Sequence, residues 1–247
     1  MHPTLRQTEH RPWPLPRRPW ILQQAWLDLA FFHVRVAADE VQRRLPRGVR
    51  VEEFDGSAWL GLVPFRLAAA RPRGVPVALG LPAFPEFNLR TYVEVDGKPG
   101  VWFFSLDADS WPVVLAGRGL YALPYFSARI RHRRDGDRHE VVGVRRRGGV
   151  AFAARYRPTG APFVAAPGTF AHWATERYCL YTHSPRLGLS RVQVHHGPWP
   201  LQDAVVEMDG AGLLAAAGFS GECHDAVCHF SSGVEVVSFP REALSRG

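Results

Sequence analysis

One lysine, Lys98, stands among the 30 lysine and arginine residues of this 247-residue chain. That scarcity leaves Schiff-base chemistry no amine other than Lys98. Cysteine is also sparse: Cys179, Cys223 and Cys228 are an odd number in a long chain and give no disulfide framework. No apolar run reaches the roughly 18 residues of a membrane span, and the start, MHPTLRQTEHRPWPLPRRPW, lacks the apolar stretch of a secretory signal. A soluble protein of a reducing cytoplasm, with no membrane partner, is the expectation. The sequence has no G-x-S-x-G, no P-loop, no dinucleotide glycine fingerprint and no local signature around a reactive cysteine. Nucleophilic triads and bound cofactors are therefore not expected.

What the chain does have favours β structure. Hydrophobic residues make up 46%, enough to bury a substantial core, and 15 Phe, 8 Trp and 6 Tyr accompany 23 Gly and 21 Pro. Such a mixture suits many short strands with tight turns. The net charge of +7 comes almost wholly from arginine, a bias that also arises in GC-rich genomes.

Residues 1–20 read as an extended, proline-rich arm and 21–247 as one domain. A long strand is expected over Gln24–Val36 and a short helix at AADEVQRRLP, with acidic residues at its start and Pro46 as its stop. VRVEEFDGSAWLGLVPFRLA reads as a hairpin turning at Asp55-Gly56. The long loop ARPRGVPVALGLPAFPEF is of the kind that covers or lines a site. NLRTYVEVDGKPGVWFFSLDA is the clearest hairpin. DSWPVVLAGRGLYAL follows as a helix with Pro112 in its first turn. A meander is expected from Tyr125 to about Pro158, a helix capped by Thr169 with Phe170, Trp173 and Arg177 at helical spacing, a strand broken at Gly197-Pro198, a short helix at GAGLLAAAGF, and final strands in DAVCHFSSGVEVVSF. The fold class is α+β and mainly antiparallel β, a barrel or curved sheet with flanking helices.

Several groups carry possible chemistry. Period-two geometry puts Asn88, Arg90, Tyr92 and Glu94 on one strand face. That row either faces solvent or lines a cavity for an anion, since arginine offers a forked donor to a carboxylate. The neighbouring strand VWFFSLDAD is almost wholly apolar, which favours a sheet covered on both faces. Arg118, between Gly117 and Gly119, reads as a carboxylate anchor or as a helix C-terminal cation answering the dipole. Glu176 reads as an acid/base group or as an arginine's partner, and His196 as a pocket edge or a structural imidazole. Cys223, His224, Cys228 and His229 lack the repeated spacing of a zinc site, so no metal is expected. The arginine run RIRHRRDGDRHEVVGVRRRG is interrupted by acidic residues, which argues against a nucleic-acid partner and for a solvated hairpin.

Four segments in order, FNLRTYVEVDGKPGVWFFSLDADS, GRGLYALPYFSARI, TERYCLYT and VHHGPWPLQDA, resemble the YqjF-like bacterial proteins of unknown function, over about Trp26 to Phe239. That family is similar in fold to acetoacetate decarboxylase, which implies a cone-shaped antiparallel barrel around an internal pocket. In the decarboxylase the segment resembling GRGLYALPYF leads into two lysines, the first the Schiff-base residue. The resemblance places Tyr125 and Phe126 at those positions, so it implies the fold without the amine chemistry. Its first implication is a barrel pocket binding a small acidic or carbonyl-containing molecule through Asn88, Arg90, Arg118, Tyr125 and His196. A second is an enzyme acting on a keto-acid-like substrate, with Tyr125 as general acid/base under an arginine that lowers its pKa, and with Glu176 as a further candidate. A third reading comes from the arginine-rich hairpins rather than from the resemblance: a basic surface that engages an acidic partner or nucleic acid. A homo-oligomer is compatible with all three.

Overall fold

Strand-forming runs of up to 15 residues dominate the chain, and the computed structural model, which describes residues 2–76, 79–220 and 226–244, joins them in one sheet of 13 strands. In chain order these are β1 (Leu22–Val36), α1 (Ala38–Gln42), β2 (Arg50–Val51), β3 (Ala58–Pro72), β4 (Phe84–Val95), β5 (Lys98–Ala108) and α2 (Trp111–Tyr121). The meander follows as β6 (Tyr125–Asp135), β7 (Arg138–Arg145) and β8 (Ala151–Phe163). Then come α3 (Phe170–Thr175), β9 (Cys179–Ser184), β10 (Gly188–His196), β11 (Leu201–Asp209), α4 (Ala211–Ala216), β12 (Val227–Ser238) and β13 (Glu242–Ala243). All pairings are antiparallel except β5 with β6 and β5 with β9.

Turn chemistry explains the hairpins. Asp96 and Gly97 both adopt positive φ, +52° and +70°, as a two-residue hairpin turn requires, and Val95 then pairs with Lys98. Asp55 and Gly56 turn the same way, with φ of +55° and +69°. The strand before them is not the partner expected: β2 pairs with β4, and only a lone Phe54–Ser57 bridge joins the two sides of the turn.

Two strands fork. The edge of β5 meets β9 at Val101–Trp102 and β6 at Leu106–Ala108. Between them the β4–β5 ladder shifts, Leu89 facing Ser105 and Arg90 facing Phe103, so Phe104 has no opposite number. One edge of β12 meets β11 at His229–Ser231 and β10 at Val236–Ser238, with Gly233 between. The sheet therefore closes twice and unevenly, sharing β12, β1, β3, β4 and β5. The closure through β6, β7, β8 and β11 is filled by side chains including Phe32, Leu60, Leu89, Ile130 and Phe152. The closure through β9 and β10 is lined by Leu29, Val63, Phe65, Phe103 and Leu106 and bounded by α2 and α3. The shared strands are covered on both faces, as the apolar run in β5 leads one to expect.

Between the two fillings runs a buried ion pair. Arg145 on β7 holds Asp107 on β5 through two bonds, Nε to Oδ1 at 2.6 Å and an Nη to Oδ2 at 3.0 Å. The guanidinium lies 3.8 Å from the centre of the Phe126 ring. Residues 2–20 do not stand free of the domain: a short 3-10 turn at Pro3–Arg6 leads into a segment bound along β10. His195 Nε2 lies 2.8 Å from Thr4 O, Arg11 donates to Val194 O at 2.7 Å, and Trp13 donates to Gln193 at 3.0 Å. Helix α3 is shorter than its spacing predicts, ending at Thr175, so Arg177 lies on the connection to β9.

Gly233 has a φ of +130°, and a Cβ there would lie 2.2 Å from the Trp26 carbonyl oxygen. Gly233→Ala is expected to cost about 3 kcal/mol or more, because backbone must move at the fork. Gly136→Ala, at an exposed turn with open space, is expected to cost about 1 kcal/mol. Thermal denaturation of the two variants checks the contrast.

Candidate active site

The closure through β9 and β10 encloses a cavity of about 610 Å3. Its wall is mainly apolar, with Trp26, Leu29, Phe65 and Phe103 among the large contributors. Polar side chains enter from three directions. Along β4, alternation sends Glu86, Asn88 and Arg90 inward. At the start of β6 stands Tyr125, and at the α3 end are Thr175 and Arg177.

Tyr125 is placed by the parallel pairing of Leu106 with Tyr125 and Asp107 with Phe126. Successive strand residues point to opposite faces, so Tyr125 enters the cavity while Phe126 turns away onto Arg145. Helix α2 packs directly over the phenol: a Cβ at Gly117 would lie 2.4 Å from the Tyr125 ring. Only glycine permits that approach. The Tyr125 hydroxyl donates to Glu86 Oε2 at 3.2 Å.

Glu86 is 2% exposed. Burial, with a smaller contribution from the charge of Asp107, raises its pKa to about 8, so the carboxyl is predominantly protonated at neutral pH. Burial and the adjacent Glu86 push the Tyr125 phenol well above its ordinary value. This reverses the expectation of an arginine-activated tyrosine. The group whose proton is exchangeable near neutrality is Glu86.

Arg90 is held by the Tyr92 hydroxyl and by Ala174 O, both at 3.3 Å from Nη2. The same hydroxyl lies 2.5 Å from His33 Nε2, and burial holds that imidazole well below its ordinary pKa. Arg177 pairs with Glu52 at 2.5 Å, and Glu52 also receives the Trp173 indole at 2.8 Å. Three buried polar atoms of this wall have no partner among the described residues: Asn88 Oδ1, Arg90 Nε and Arg177 Nη2. Buried polar groups are ordinarily satisfied, and three such orphans lie on this one cavity.

The structure brings Asn88, Arg90, Tyr125 and His196 to the cavity and leaves Arg118 and Glu176 off its wall. Arg118 lies on the outer side of α2, where its Nε donates to Tyr125 O at 2.7 Å; it supports the β6 entry and cannot reach a guest. Glu176 accepts from Trp199 N at 3.2 Å and from the Tyr178 hydroxyl, so its carboxylate ties the α3–β9 connection to the β10–β11 connection rather than pairing with an arginine. His196 is fully buried, 4.8 Å from the Tyr178 ring centre and 5.2 Å from that of Trp199, and burial lowers its pKa, which keeps it neutral. Lys98 sits at the β4–β5 turn, 5.7 Å from the Trp13 ring, and does not line the cavity. Cys223 and His224 lie outside the described residues; Cys228 and His229 are successive β12 residues on opposite faces, and the described residues contain no cluster of three metal-binding side chains.

Glu86 and Arg177 are the site residues that sequence reasoning missed. Glu86 fell in the loop because the strand was expected to begin at Asn88. The period-two pattern of Asn88, Arg90 and Tyr92 extended back by one step would have included it.

A carboxyl that keeps its proton in the folded state and loses it in the unfolded chain weakens folding as pH rises. The loss accumulates between the ordinary value of 4.5 and about 8, then levels off. Glu86→Gln removes that term. Its melting temperature relative to wild type is expected to rise from pH 5 to pH 8, as measured by paired thermal melts.

Comparison with known proteins agrees with this architecture. The acetoacetate decarboxylase of Legionella pneumophila superposes with a TM-score of 0.61 at 14% identity, covering 96% of this chain and 94% of that one. The enduracididine biosynthesis enzyme MppR, in complex with pyruvate, superposes with a TM-score of 0.65 at 16% identity, covering 95% and 93%. These likenesses establish an acetoacetate decarboxylase-like fold. The uncharacterized protein YqjF of Bacillus subtilis is 39% identical over 227 residues, covering 92% of this chain and 93% of that protein. No helix among the described residues is long and apolar enough to cross a membrane. With residues 23–235 matching its family-wide pattern, the chain belongs to the DUF2071 family of uncharacterized conserved proteins.

Proposed function

We propose that this protein binds a small molecule carrying both a carboxylate and a carbonyl, in the cavity lined by β4, β6 and the α3–β9 connection. The observation that carries the reading is the pair of unpartnered buried guanidinium nitrogens, Arg90 Nε and Arg177 Nη2. Two arginines on one side of the cavity suit a carboxylate. A protonated Glu86 and a phenol on the β6 side suit a carbonyl oxygen, which accepts from either. The volume fits a compact organic acid with room for an apolar substituent against Trp26 and Phe103. A protein of the same fold, MppR, forms a complex with pyruvate.

Amine chemistry is not part of this reading. Tyr125 and Phe126 occupy the start of β6, and Lys98 is at a turn away from the cavity. Should the bound acid be turned over, Glu86 is the proton donor and acceptor, since its pKa lies near operating pH, and Tyr125 orients it.

Titration calorimetry with pyruvate, acetoacetate and longer 2-oxo and β-keto acids tests the reading. Binding of at least one acid is expected, with Arg90→Met weakening it about tenfold or more and Arg90→Lys less. Monitoring the same acids for CO2 release and enol exchange separates binding from turnover, and there Glu86→Gln is expected to remove any activity that Tyr125→Phe only reduces. Equal affinity of wild type and Arg90→Met for every acid would overturn the assignment of Arg90.

A further inference from the structure

The outer face of the β6–β7–β8–β11 sheet is self-complementary in charge. Strand register defines its rows. Arg133 lies opposite Glu140, Glu140 opposite Arg155, and Arg155 opposite Glu207, giving a row that reads plus, minus, plus, minus. The next row outward runs Arg131, Val142, Ala153, Asp209: plus, apolar, apolar, minus. In the third row, Arg129 is followed by Val144 and Ala151.

These side chains face outward. Val142 is 51% exposed and Val144 37%, while the intervening Val141 and Gly143 point into the core. Arg155 and Glu207 are 70% and 76% exposed at their side chains. Scattered surface valines need no explanation; an ordered alternation of sign around an apolar centre does. Within the chain Arg155 already meets Glu140 at 3.0 Å. Arg131, Arg133 and Asp209, at the margins, have no ion-pair partner among the described residues. Three strand spacings separate Arg131 from Asp209, about 14 Å, too far to pair within one molecule.

We propose that this face docks on the same face of a second copy of the chain, about a two-fold axis parallel to the strands. Such an axis reverses the order of columns and keeps the order of rows. It sets β6 of one copy over β11 of the other and β7 over β8. Arg131 then meets the second copy's Asp209, Arg133 meets its Glu207, and Glu140 meets its Arg155, each contact occurring twice. Val142 lies on the second copy's Ala153, closing a small apolar centre between the ionic margins. Two-fold interfaces are isologous, and this row order satisfies that condition without alteration. Aligned sheet packing at about −30° keeps the central rows in register. The fourth row limits the contact: Arg138 falls opposite the second copy's Arg157, so the interface ends there and those guanidinia stay in water.

A polyanion is a poorer occupant, because Glu140, Glu207 and Asp209 would face its charge. Four strands by three rows span about 19 by 20 Å, a small interface that predicts a weak, reversible and salt-sensitive dimer. The cavity opens elsewhere, and its ligand binding does not depend on this contact.

Sedimentation velocity of the full chain over about 1–200 µM measures the association. At about 20 mM NaCl a monomer–dimer equilibrium is expected, weakened tenfold or more at about 500 mM. Arg131→Asp and Asp209→Arg each place like charges across the interface and are expected to weaken it at least tenfold. Because the two residues cannot reach each other within one chain, recovery in the Arg131→Asp/Asp209→Arg double variant to within about threefold of wild type identifies the intermolecular pair. Both positions are exposed, and unchanged melting temperatures show that the variants fold. A wild type that stays monomeric at low salt, including one that instead binds heparin, overturns the proposal. So does association that the single reversals leave unchanged, or a double variant no better than either single one.

Discussion

The architecture depends on two strands that each divide one edge between two partners. A strand edge offers a single row of backbone donors and acceptors, so β5 and β12 can hold both halves of the molecule only by changing partner partway along. At β12 the change falls at Gly233, whose φ of +130° and close approach to Trp26 O exclude a side chain. At β5 it coincides with the unpaired Phe104, a bulge that redirects the strand. One closure is thereby packed solid, and the other is left open enough to hold a guest.

The Asp107–Arg145 pair stabilises the second of these forks. Removing one member of such a buried pair leaves an uncompensated charge, which costs about 3–5 kcal/mol in comparable cases. Its position has a further effect. It fixes the pleat at the point where β6 joins β5, so that Phe126 covers the guanidinium and Tyr125 faces the cavity. The two aromatics that open β6 are therefore not equivalent. One belongs to the packing of a buried charge, and the other to the site.

Within the cavity, low polarity governs the chemistry. Burial favours the protonated form of Glu86, and burial beside Glu86 makes the tyrosine less acidic. Arg90 and Arg177 each leave a buried nitrogen unpartnered. The proposed guest, a carboxylate at one end and a carbonyl at the other, matches a wall with a neutral acid on one side and arginines on the other.

Much of this was legible in the chain. Alternation put Asn88 and Arg90 on one face of β4 and Asp-Gly pairs marked the turns, because each depends on residue type and local spacing, while whether that face met solvent or a cavity stayed open. The β2–β4 pairing, the docking of the N-terminal segment along β10 and the end of α3 at Thr175 depend on contacts between distant segments, which local spacing does not encode. Arg118 illustrates the limit. Its place beside a glycine at a helix end was readable, but which side of α2 faced the cavity was set only when Gly117 met the Tyr125 ring. Glu86 illustrates the converse. Its identity was always visible, while its raised pKa arises from burial that only the folded chain provides. Sequence alone determined a strand-rich chain whose single lysine stands in a turn; tertiary packing decided which acid lies buried on the cavity wall with a raised pKa, since burial rather than residue type sets the cost of charge.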